Sequence, residues 1–218
     1  MTKAPTSAPG NIYIPPPNLG HAEFSLRGTS PYVQHKFSEK ARRQMLDAQI
    51  EGSRAKGKKK RESRDIEAEY KAAMHLTEDG RTGIPANAFR NCMISACRLV
   101  GVVMTRAKLS IFAEADAFDA DDDTPLVYFT KGEPQLHESA VRLATGVASI
   151  AIRPIWREWE CDLRVTFDND QFDVNSVANL LARAGLQVGV GEGRHDSKRS
   201  TGMGWGQFVI VNSTALSD

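Results

Sequence analysis

The residues with the clearest chemical potential form a glycine-rich stretch near the end of the chain, from Gly185 to Gly206. Glycine lets a partner approach the backbone closely and exposes N–H groups that suit anions such as phosphate. The combination of glycines, cations and flat rings predicts contacts with the backbone of a single-stranded nucleic acid. The stretch holds seven of the chain's 17 glycines (Gly185, Gly189, Gly191, Gly193, Gly202, Gly204, Gly206), the cations Arg194, Lys198 and Arg199, and the rings of His195 and Trp205.

The glycine-rich stretch does not match a nucleotide-phosphate loop. Neither GxxxxGK[ST] nor GxGxxG occurs in it, and it follows a predicted helix and precedes a predicted strand, the reverse of the order such loops require. An alternative is a hairpin packed tightly against a helix, with its cations in solvent. If close approach to a ligand is its purpose, valine at Gly191 and Gly193 weakens binding more than folding, whereas packing predicts the reverse.

Catalytic and metal-binding patterns are weak. The five histidines and three cysteines show no HxxxH, CxxC or Cys/His pairing, so a zinc site is not predicted. The acidic stretch, residues 114–123, carries six carboxylates but lacks the central glycine and final glutamate of an EF-hand, so it predicts a solvated loop. His35 has the chemistry of a general base, but no partner lies at useful spacing. The sequence therefore predicts no catalytic residue, no metal and no cofactor.

The composition is that of an ordinary globular protein: 218 residues, 41% hydrophobic and 25% charged, with a net charge of +1. The charge is segregated, because residues 54–64 (the basic run) carry seven cations and one acid, whereas the acidic stretch has no cation. The odd number of cysteines argues against a disulfide framework and favours a reducing compartment. No signal peptide or membrane-spanning run is evident, so we expect a cytoplasmic protein that does not contact a membrane.

Apolar spacing predicts the elements that must position these residues. Strands are predicted where apolar and polar residues alternate or an apolar run is short: 22–26, 109–113, 126–129, 148–155, 161–167 and 208–211. Helices are predicted at 38–50, from Ser63 through Met74, from Pro85 to about Val100, and from Asp173 to Gly185. Pro85 suits a first helical position, Gly101 a helix end and Gly185 a left-handed end.

The strongest elements follow the order strand, helix, strand, strand, helix, strand. This order is the βαββαβ pattern of a ferredoxin-like or RRM-like α+β fold. We expect a flexible N-terminal arm over residues 1–19 and a single domain over residues 20–218. An insertion of about residues 30–82, with helical segments and a basic loop at 52–64, precedes the first helix of the pattern. Trp156 and Trp159 are predicted to pack in the core rather than to stack on bases.

Three segments resemble the RAMP superfamily, the RRM-like subunits that form the backbone of CRISPR effector complexes. GIPANAFRNCMISACRL (83–99) resembles the opening of the family's first helix, and GTSPYVQHKFSEKAR (28–42) resembles the segment after its first strand. AGLQVGVGEGRHDSKRSTGMGWGQFVI (184–210) resembles the glycine-rich loop before its last strand. The resemblance covers residues 20–115 and 145–211. It implies binding along a single-stranded nucleic acid, mostly through phosphates, by subunits stacked head to tail.

The resemblance also implies which residues touch the strand. The segment after the first strand contributes His35, Lys36, Arg42 and Arg43, and the start of the first helix contributes Arg90. The basic run occupies the family's variable insertion and contributes Lys58, Lys59, Lys60 and Arg61. The glycine-rich stretch contributes Gly189, Gly191, Gly193, Arg194, Gly202, Gly204 and Gly206 by position, and Lys198, Arg199 and Trp205 by their chemistry.

The sequence thus predicts a non-catalytic protein that coats RNA or single-stranded DNA through backbone contacts, as a head-to-tail filament of its own copies or beside other effector subunits. The chain is shorter than the family's typical backbone subunits, which leaves a solitary, phage- or mobile-element-borne relative equally open. Two alternatives remain: a metal-independent endoribonuclease that processes guide RNA with His35 or His195, and a protein-only assembly subunit. Backbone recognition and stacking do not distinguish RNA from DNA.

Overall fold

The computed structural model describes residues 14–37, 43, 46, 64–142, 146, 148–196 and 202–216. Its helices are α1 (Ile66–Ala72), α2 (Ala86–Val100), α3 (Met104–Ser110) and α4 (Val174–Gln187). Its strands are β1 (Leu19–Gly28), β2 (Tyr32–Val33), β3 (Gly83–Pro85), β4 (Ile111–Ala113), β5 (Ala117–Phe118), β6 (Pro125–Lys131), β7 (Gln135–Arg142), β8 (Ala148–Trp156), β9 (Glu160–Asp168) and β10 (Phe208–Leu216).

The main sheet is antiparallel and runs in the order β10–β1–β9–β6–β3, with β4 also paired to β9 and β5 to β6. Its strands β1, β4, β9 and β10 and the helices α2 and α4 follow the predicted βαββαβ order. The first and third strands of that pattern lie side by side at the centre. The α+β, RRM-like class predicted from the sequence is therefore confirmed.

Alternation along the two central strands explains why they are central. Ala22, Phe24 and Leu26 of β1 are buried, and in register they face Val165, Leu163 and Cys161 of β9, which are buried too. The intervening side chains are polar and less buried, as expected for a sheet with one covered face. This confirms the strands predicted at 22–26 and 161–167.

Helix α2 covers the buried face of the sheet with the residues that its spacing predicts. Phe89, Met93 and Cys97 are fully buried, and the rings of Phe89 and Phe208 meet edge to face at 5.8 Å. Gly101 ends the helix in the left-handed region, at φ 70°, and its N–H donates to the Cys97 carbonyl. Two details differ: Pro85 is the last residue of β3 and precedes the helix, and Val100 is 39% exposed.

Helix α4 begins as predicted but ends later. The Asp173 carboxylate accepts a hydrogen bond from the Ser176 N–H at 2.7 Å, which caps the helix. Gly185 is not the left-handed end: it lies inside the helix, which runs to Gln187. A Cβ on Gly185 would lie 2.3 Å from the Phe208 carbonyl oxygen, so this glycine lets β10 pass close to the helix.

The bounds or the pairing of three other predicted elements differ in the structure. The strand predicted at 109–113 begins only at Ile111, because Leu109 belongs to α3 and is 73% exposed. The strand at 148–155 is present as β8, but it pairs with β2 and β7 in a separate sheet. Helix α1 starts after Asp65, whose carboxylate caps it, rather than at Ser63. Trp156 and Trp159 lie in the core, as predicted.

Several expectations concern residues outside the described ranges: most of the N-terminal arm (1–19), most of the helix at 38–50, and nearly all of the basic run. Within the described ranges, no helix combines the length and the hydropathy needed to cross a lipid bilayer.

Candidate nucleic-acid interface

A cleft of about 550 Å³ opens beside α2, and three segments that are distant in sequence line it. One wall is the segment after β1, at Tyr32–His35, and a second is the polar side of α2 from Asn87 to Ser95. The third is the first half of the glycine-rich stretch, from Val188 to Asp196. These three segments are the ones that carry the family resemblance, so the fold brings the sequence-predicted regions together at one place.

The glycine-rich stretch is held against the protein itself. The Val190 N–H donates to the Gly206 carbonyl at 2.9 Å, and the Glu192 N–H donates to the Val33 carbonyl at 2.9 Å. Gly189, Gly191 and Gly193 all have φ near +78°, a region that glycine adopts without strain. The first half of the stretch is thus a tightly tied turn between β2 and the segment that leads into β10.

The missing side chains of this turn make room for the protein's own atoms, which corrects the expectation that they make room for a ligand. A Cβ on Gly191 would lie 2.6 Å from the Tyr32 ring and from the Val33 carbonyl oxygen. A Cβ on Gly193 would lie 2.5 Å from the Trp205 ring, and one on Gly206 would lie 1.7 Å from the Val190 carbonyl oxygen. Valine at Gly191 and Gly193 is therefore expected to damage folding, the outcome that the packing alternative predicts.

The second half of the glycine-rich stretch is more open. No described atom lies within 4 Å of a Cβ on Gly202, and only the His195 ring approaches Gly204, at 3.3 Å. Trp205 is half-buried, and its ring meets the His137 ring edge to face at 5.6 Å. Among the described residues, the backbone is therefore less crowded at Gly204 than at Gly191, Gly193 or Gly206, and Trp205 is only partly covered.

Arg194 and His35 bring positive charge or hydrogen-bond donors to the cleft. One N–H of the Arg194 guanidinium donates to the Gly191 carbonyl at 2.8 Å, which fixes the side chain within the cleft lining. His35 lies 3.4 Å from Glu192, which in turn accepts a 2.7 Å hydrogen bond from Arg153. Burial lowers the pKa of His35, and Arg153 lowers it further against the opposing effect of Glu192. His35 is therefore a neutral hydrogen-bonding group near pH 7.

Lys36 does not contribute to the cleft, and its predicted contact with the strand is corrected accordingly. Its ammonium is buried and lies 2.6 Å from one carboxylate oxygen of Asp119 and 2.6 Å from one of Asp121. Burial alone lowers the pKa of Lys36, but these hydrogen bonds outweigh it and raise that pKa above its ordinary value. The ammonium is already neutralised within the protein, so it is not free to pair with a phosphate.

Asp119 is the centre of this buried cluster, which corrects the prediction that the acidic stretch is only a solvated loop. Its second carboxylate oxygen lies 2.8 Å from Nδ1 of His75 and 3.2 Å from the Leu76 N–H. His75 lines the cleft, and its backbone N–H donates a hydrogen bond to the side-chain oxygen of Gln34 at 2.7 Å. The acidic stretch is thus joined to the cleft lining through the contact of Asp119 with His75.

The same cluster contains donors that suit a metal ion. Ligand atoms of His75, Asp119 and Asp122 lie within 4.8 Å of one another. However, the Lys36 ammonium already neutralises Asp119, and a divalent cation at this position would be repelled by it. The sequence does not predict this grouping, because His75 lies 44 positions before Asp119.

The remaining predicted contacts lie elsewhere. Arg90 donates to the carbonyl oxygens of Ile111, at 3.0 Å, and of Lys108, so it ties α2 to the junction of α3 and β4, away from the cleft lining. Its predicted contact with the strand is corrected for that reason. Arg43 is helical and exposed. Outside the described ranges lie Arg42, Lys58, Lys59, Lys60, Arg61, Lys198 and Arg199, whose contacts stay predictions.

Comparison with known proteins addresses the fold. No protein-family model matches the chain, and no curated protein sequence matches it. Among solved structures, it is similar to a chain in the cryo-EM structure of the type III-B Cmr-beta bound to cognate target RNA, with a TM-score of 0.51 and 8% identity. The match covers 91% of this chain, which spans about 61% of the length of the other. The likeness is one of fold.

Proposed function

We propose that this chain binds single-stranded RNA along the cleft, as a non-catalytic subunit that stacks with copies of itself or with other subunits of an effector complex. The observation that carries the proposal is the convergence of the segment after β1, the start of α2 and the glycine-rich stretch on one cleft. Two further observations support it. The three segments are those that resemble RAMP proteins, and the similar fold of the type III-B Cmr-beta chain belongs to an assembly bound to target RNA.

The binding energy comes from phosphate contacts and stacking. Within the described residues, one of the five donors of Arg194 is used, in the bond to Gly191, and the others can reach a phosphate oxygen in the cleft. The half-exposed ring of Trp205 offers a face on which a base can stack. Such contacts favour many sequences nearly equally and weaken as salt concentration rises.

The test is a salt series of affinities for labelled single strands of RNA and of DNA. Arg194→Ala is expected to weaken binding by about 1–3 kcal/mol, because a charge-assisted hydrogen bond is lost. It should also reduce the slope of log affinity against log salt by about 0.7, the value for one phosphate contact on a single strand. Arg183→Ala is the matched control, since Arg183 is an exposed arginine on α4 that does not line the cleft.

Two results contradict the proposal. If the Arg194 and Arg183 variants bind alike, the strand does not follow the cleft. If neither RNA nor DNA binds at any salt concentration, the protein-only assembly subunit becomes the better explanation, and sedimentation of the protein alone then measures its self-association.

A second candidate function, a metal-independent endoribonuclease, is favoured by one observation. His75 lines the cleft while its Nδ1 is paired with the buried Asp119, an arrangement that fixes the tautomer and leaves Nε2 as a proton acceptor. Of the histidines considered from the sequence, His35 lies 3.4 Å from Glu192, but that carboxylate is half-buried and already accepts a hydrogen bond from Arg153, unlike the fully buried Asp119. In such a reaction Nε2 takes the proton of a ribose 2′-hydroxyl, its oxygen bonds to phosphorus, and the 5′-oxygen leaves and takes a proton from water.

Gel analysis separates the two functions. RNA incubated with the protein in the presence of a metal chelator stays intact if the protein only binds. Cleavage to fragments that end in a cyclic phosphate, lost in His75→Gln but retained in His35→Gln, would establish the nuclease.

A further inference from the structure

Helix α2 presents a row of uncharged polar side chains to the cleft. Asn87, Asn91 and Ser95 follow one another at intervals of four residues, which places them on one side of the helix, and all three line the cleft. Asn87 and Asn91 are exposed. Within the described part of the chain, no hydrogen bond engages either side-chain amide. The side-chain amides of Asn87 and Asn91 are therefore available as hydrogen-bond donors and acceptors at the cleft wall.

The facing wall indicates what these amides bind. Glu192 and Asp196 both lie there, and each is paired: Glu192 with Arg153 at 2.7 Å, and Asp196 with Arg98 and the Ser95 hydroxyl. The Ser95 hydroxyl, followed by Arg98, lowers the pKa of Asp196, so this carboxylate is charged at neutral pH. A phosphate seated deep in the cleft would meet these two carboxylates. An uncharged ring with its own donors and acceptors would not be repelled.

The size of the cleft agrees with such a ligand. At about 550 Å³ it falls within the range of small-molecule sites, roughly 300–1,000 Å³, so its interior has room for one base of a strand that runs along it. Arg194 lies in the same lining as Glu192. A strand with a phosphate that contacts Arg194 can therefore direct one base toward the asparagines of the opposite wall.

We propose that the cleft receives one nucleobase of the bound strand, and that Asn87 and Asn91 hydrogen-bond to its edge. The inference rests on the proposed function and deepens it. A side-chain amide offers two N–H donors and a carbonyl acceptor, which match the donor and acceptor pattern on the edge of a base. Unstacked bases of single strands are recognised in this way. Binding then has two components: sequence-tolerant contacts with the backbone, and a base preference at one position per subunit.

The experiment measures affinities for single strands that are identical except for one central nucleotide, and for A, C and U homopolymers. The wild-type protein is expected to discriminate between the best and the worst base by roughly tenfold, as for a two-hydrogen-bond contact. The double variant Asn87→Ala with Asn91→Ala should bring that ratio close to one while leaving the salt slope unchanged. Alanine is a better helix former than asparagine, so the fold of α2 is preserved.

Asn179→Ala is the matched control, because Asn179 is an exposed asparagine on α4 that does not line the cleft, and its discrimination should equal that of the wild type. Equal affinities for every base in the wild-type protein, with normal salt dependence, would overturn the base pocket and leave the proposed function standing. Discrimination that survives in the double variant would also overturn it.

Free nucleoside monophosphates supply the remaining comparison. If they bind with the same base preference and the double variant loses it, while no oligonucleotide binds, then the pocket is real and the proposed function is wrong. If neither mononucleotides nor oligonucleotides bind, both proposals are wrong.

Discussion

The glycine-rich stretch and the acidic stretch are each dominated by one kind of residue, yet the structure holds them in place by different means. The glycine-rich stretch is held by shape: Gly191, Gly193 and Gly206 are in contact with backbone and ring atoms at distances that admit no Cβ. The acidic stretch is held by charge, because Asp119 is buried between Lys36 and His75. The glycine-rich stretch lines the cleft directly, and the acidic stretch is connected to it through the pair of Asp119 with His75.

Because the two stretches are held by different interactions, we expect substitutions in them to change the stability of the protein in different ways. A backbone carbonyl cannot move aside for a new side chain without disturbing the segment that it belongs to, so shape leaves little tolerance. A buried ion pair depends on protonation and on the partner that remains, so its strength varies with pH and with the residue that is removed. Four measurements of stability test this difference between the two stretches.

The largest effect is expected for Gly206→Ala. The new methyl group lies 1.7 Å from the Val190 carbonyl oxygen, and alanine is strained at φ +70°. We expect a loss of at least about 4 kcal/mol in the free energy of unfolding, or no folded protein at all. Gly80→Ala is the control: its φ is +78° but no described atom lies within 4 Å of the new methyl group, so only about 1–2 kcal/mol is lost. Equal losses for the two variants in denaturant titrations would show that the glycine-rich stretch is not held by shape.

Asp119→Ala comes next. It removes the carboxylate that pairs with Lys36 and His75 and leaves the buried ammonium with Asp121 alone. Removal of one partner from a buried pair costs about 3–5 kcal/mol, so urea denaturation should show a loss near the lower end of that range. A variant as stable as the wild type would mean that the cluster opens to water in solution.

The third measurement is the pH dependence of stability. Burial alone raises the pKa of Asp119, but hydrogen bonds from Lys36, the Asp121 N–H and His75 outweigh it and hold that pKa below its ordinary value. The stabilisation is therefore complete above the unfolded-state pKa of about 3.9 and is lost as pH falls through the lower folded-state pKa. Denaturation at a series of acidic pH values should show a decline that is shallower in Asp119→Ala. Parallel curves for the two proteins would contradict the assignment.

The smallest effect is expected for Asp121→Ala. This carboxylate also lies 2.6 Å from the Lys36 ammonium, but its side chain is 55% exposed, so water screens the pair. We expect a loss of less than about 1 kcal/mol by the same denaturation assay. A loss as large as that of Asp119→Ala would show that both carboxylates share the neutralisation of Lys36 equally.

The order of elements was predictable because the signals are local. The alternation in β1 and β9, the buried spacing of α2 and the Asp173 cap of α4 each depend on a few neighbouring residues. The exceptions lie where local signals compete. Leu109 continues an alternating pattern, but the preceding residues form a helix, and the strand starts two residues later.

The candidate site was predictable as regions, but its residues only in part: His35 and Arg194 line the cleft, whereas Lys36 does not. The three segments around the cleft carry sequence signals of their own, and the fold brings them together. Which side chains face the cleft depends on contacts between residues that are distant in sequence, and no local pattern reveals these. Lys36 pairs with Asp119, and Arg90 donates to the carbonyl oxygen of Ile111 at the start of β4. The spacing of Asn87, Asn91 and Ser95 at every fourth residue is visible in the sequence. These three residues lie on the side of α2 opposite the apolar residues of that helix.

The three tryptophans of the chain divide into two kinds of optical reporter. Trp156 and Trp159 are buried in the core, where Trp156 stacks on Phe129 and Trp159 packs at a tilt against Tyr32. Their emission should stay the same for as long as the protein is folded. Trp205 is half-buried and packs against Gly193, a residue of the cleft lining. Its fluorescence should therefore be quenched by an occupant of the cleft while the emission of the other two stays constant, so that binding and unfolding can be followed separately in the same unlabelled molecule.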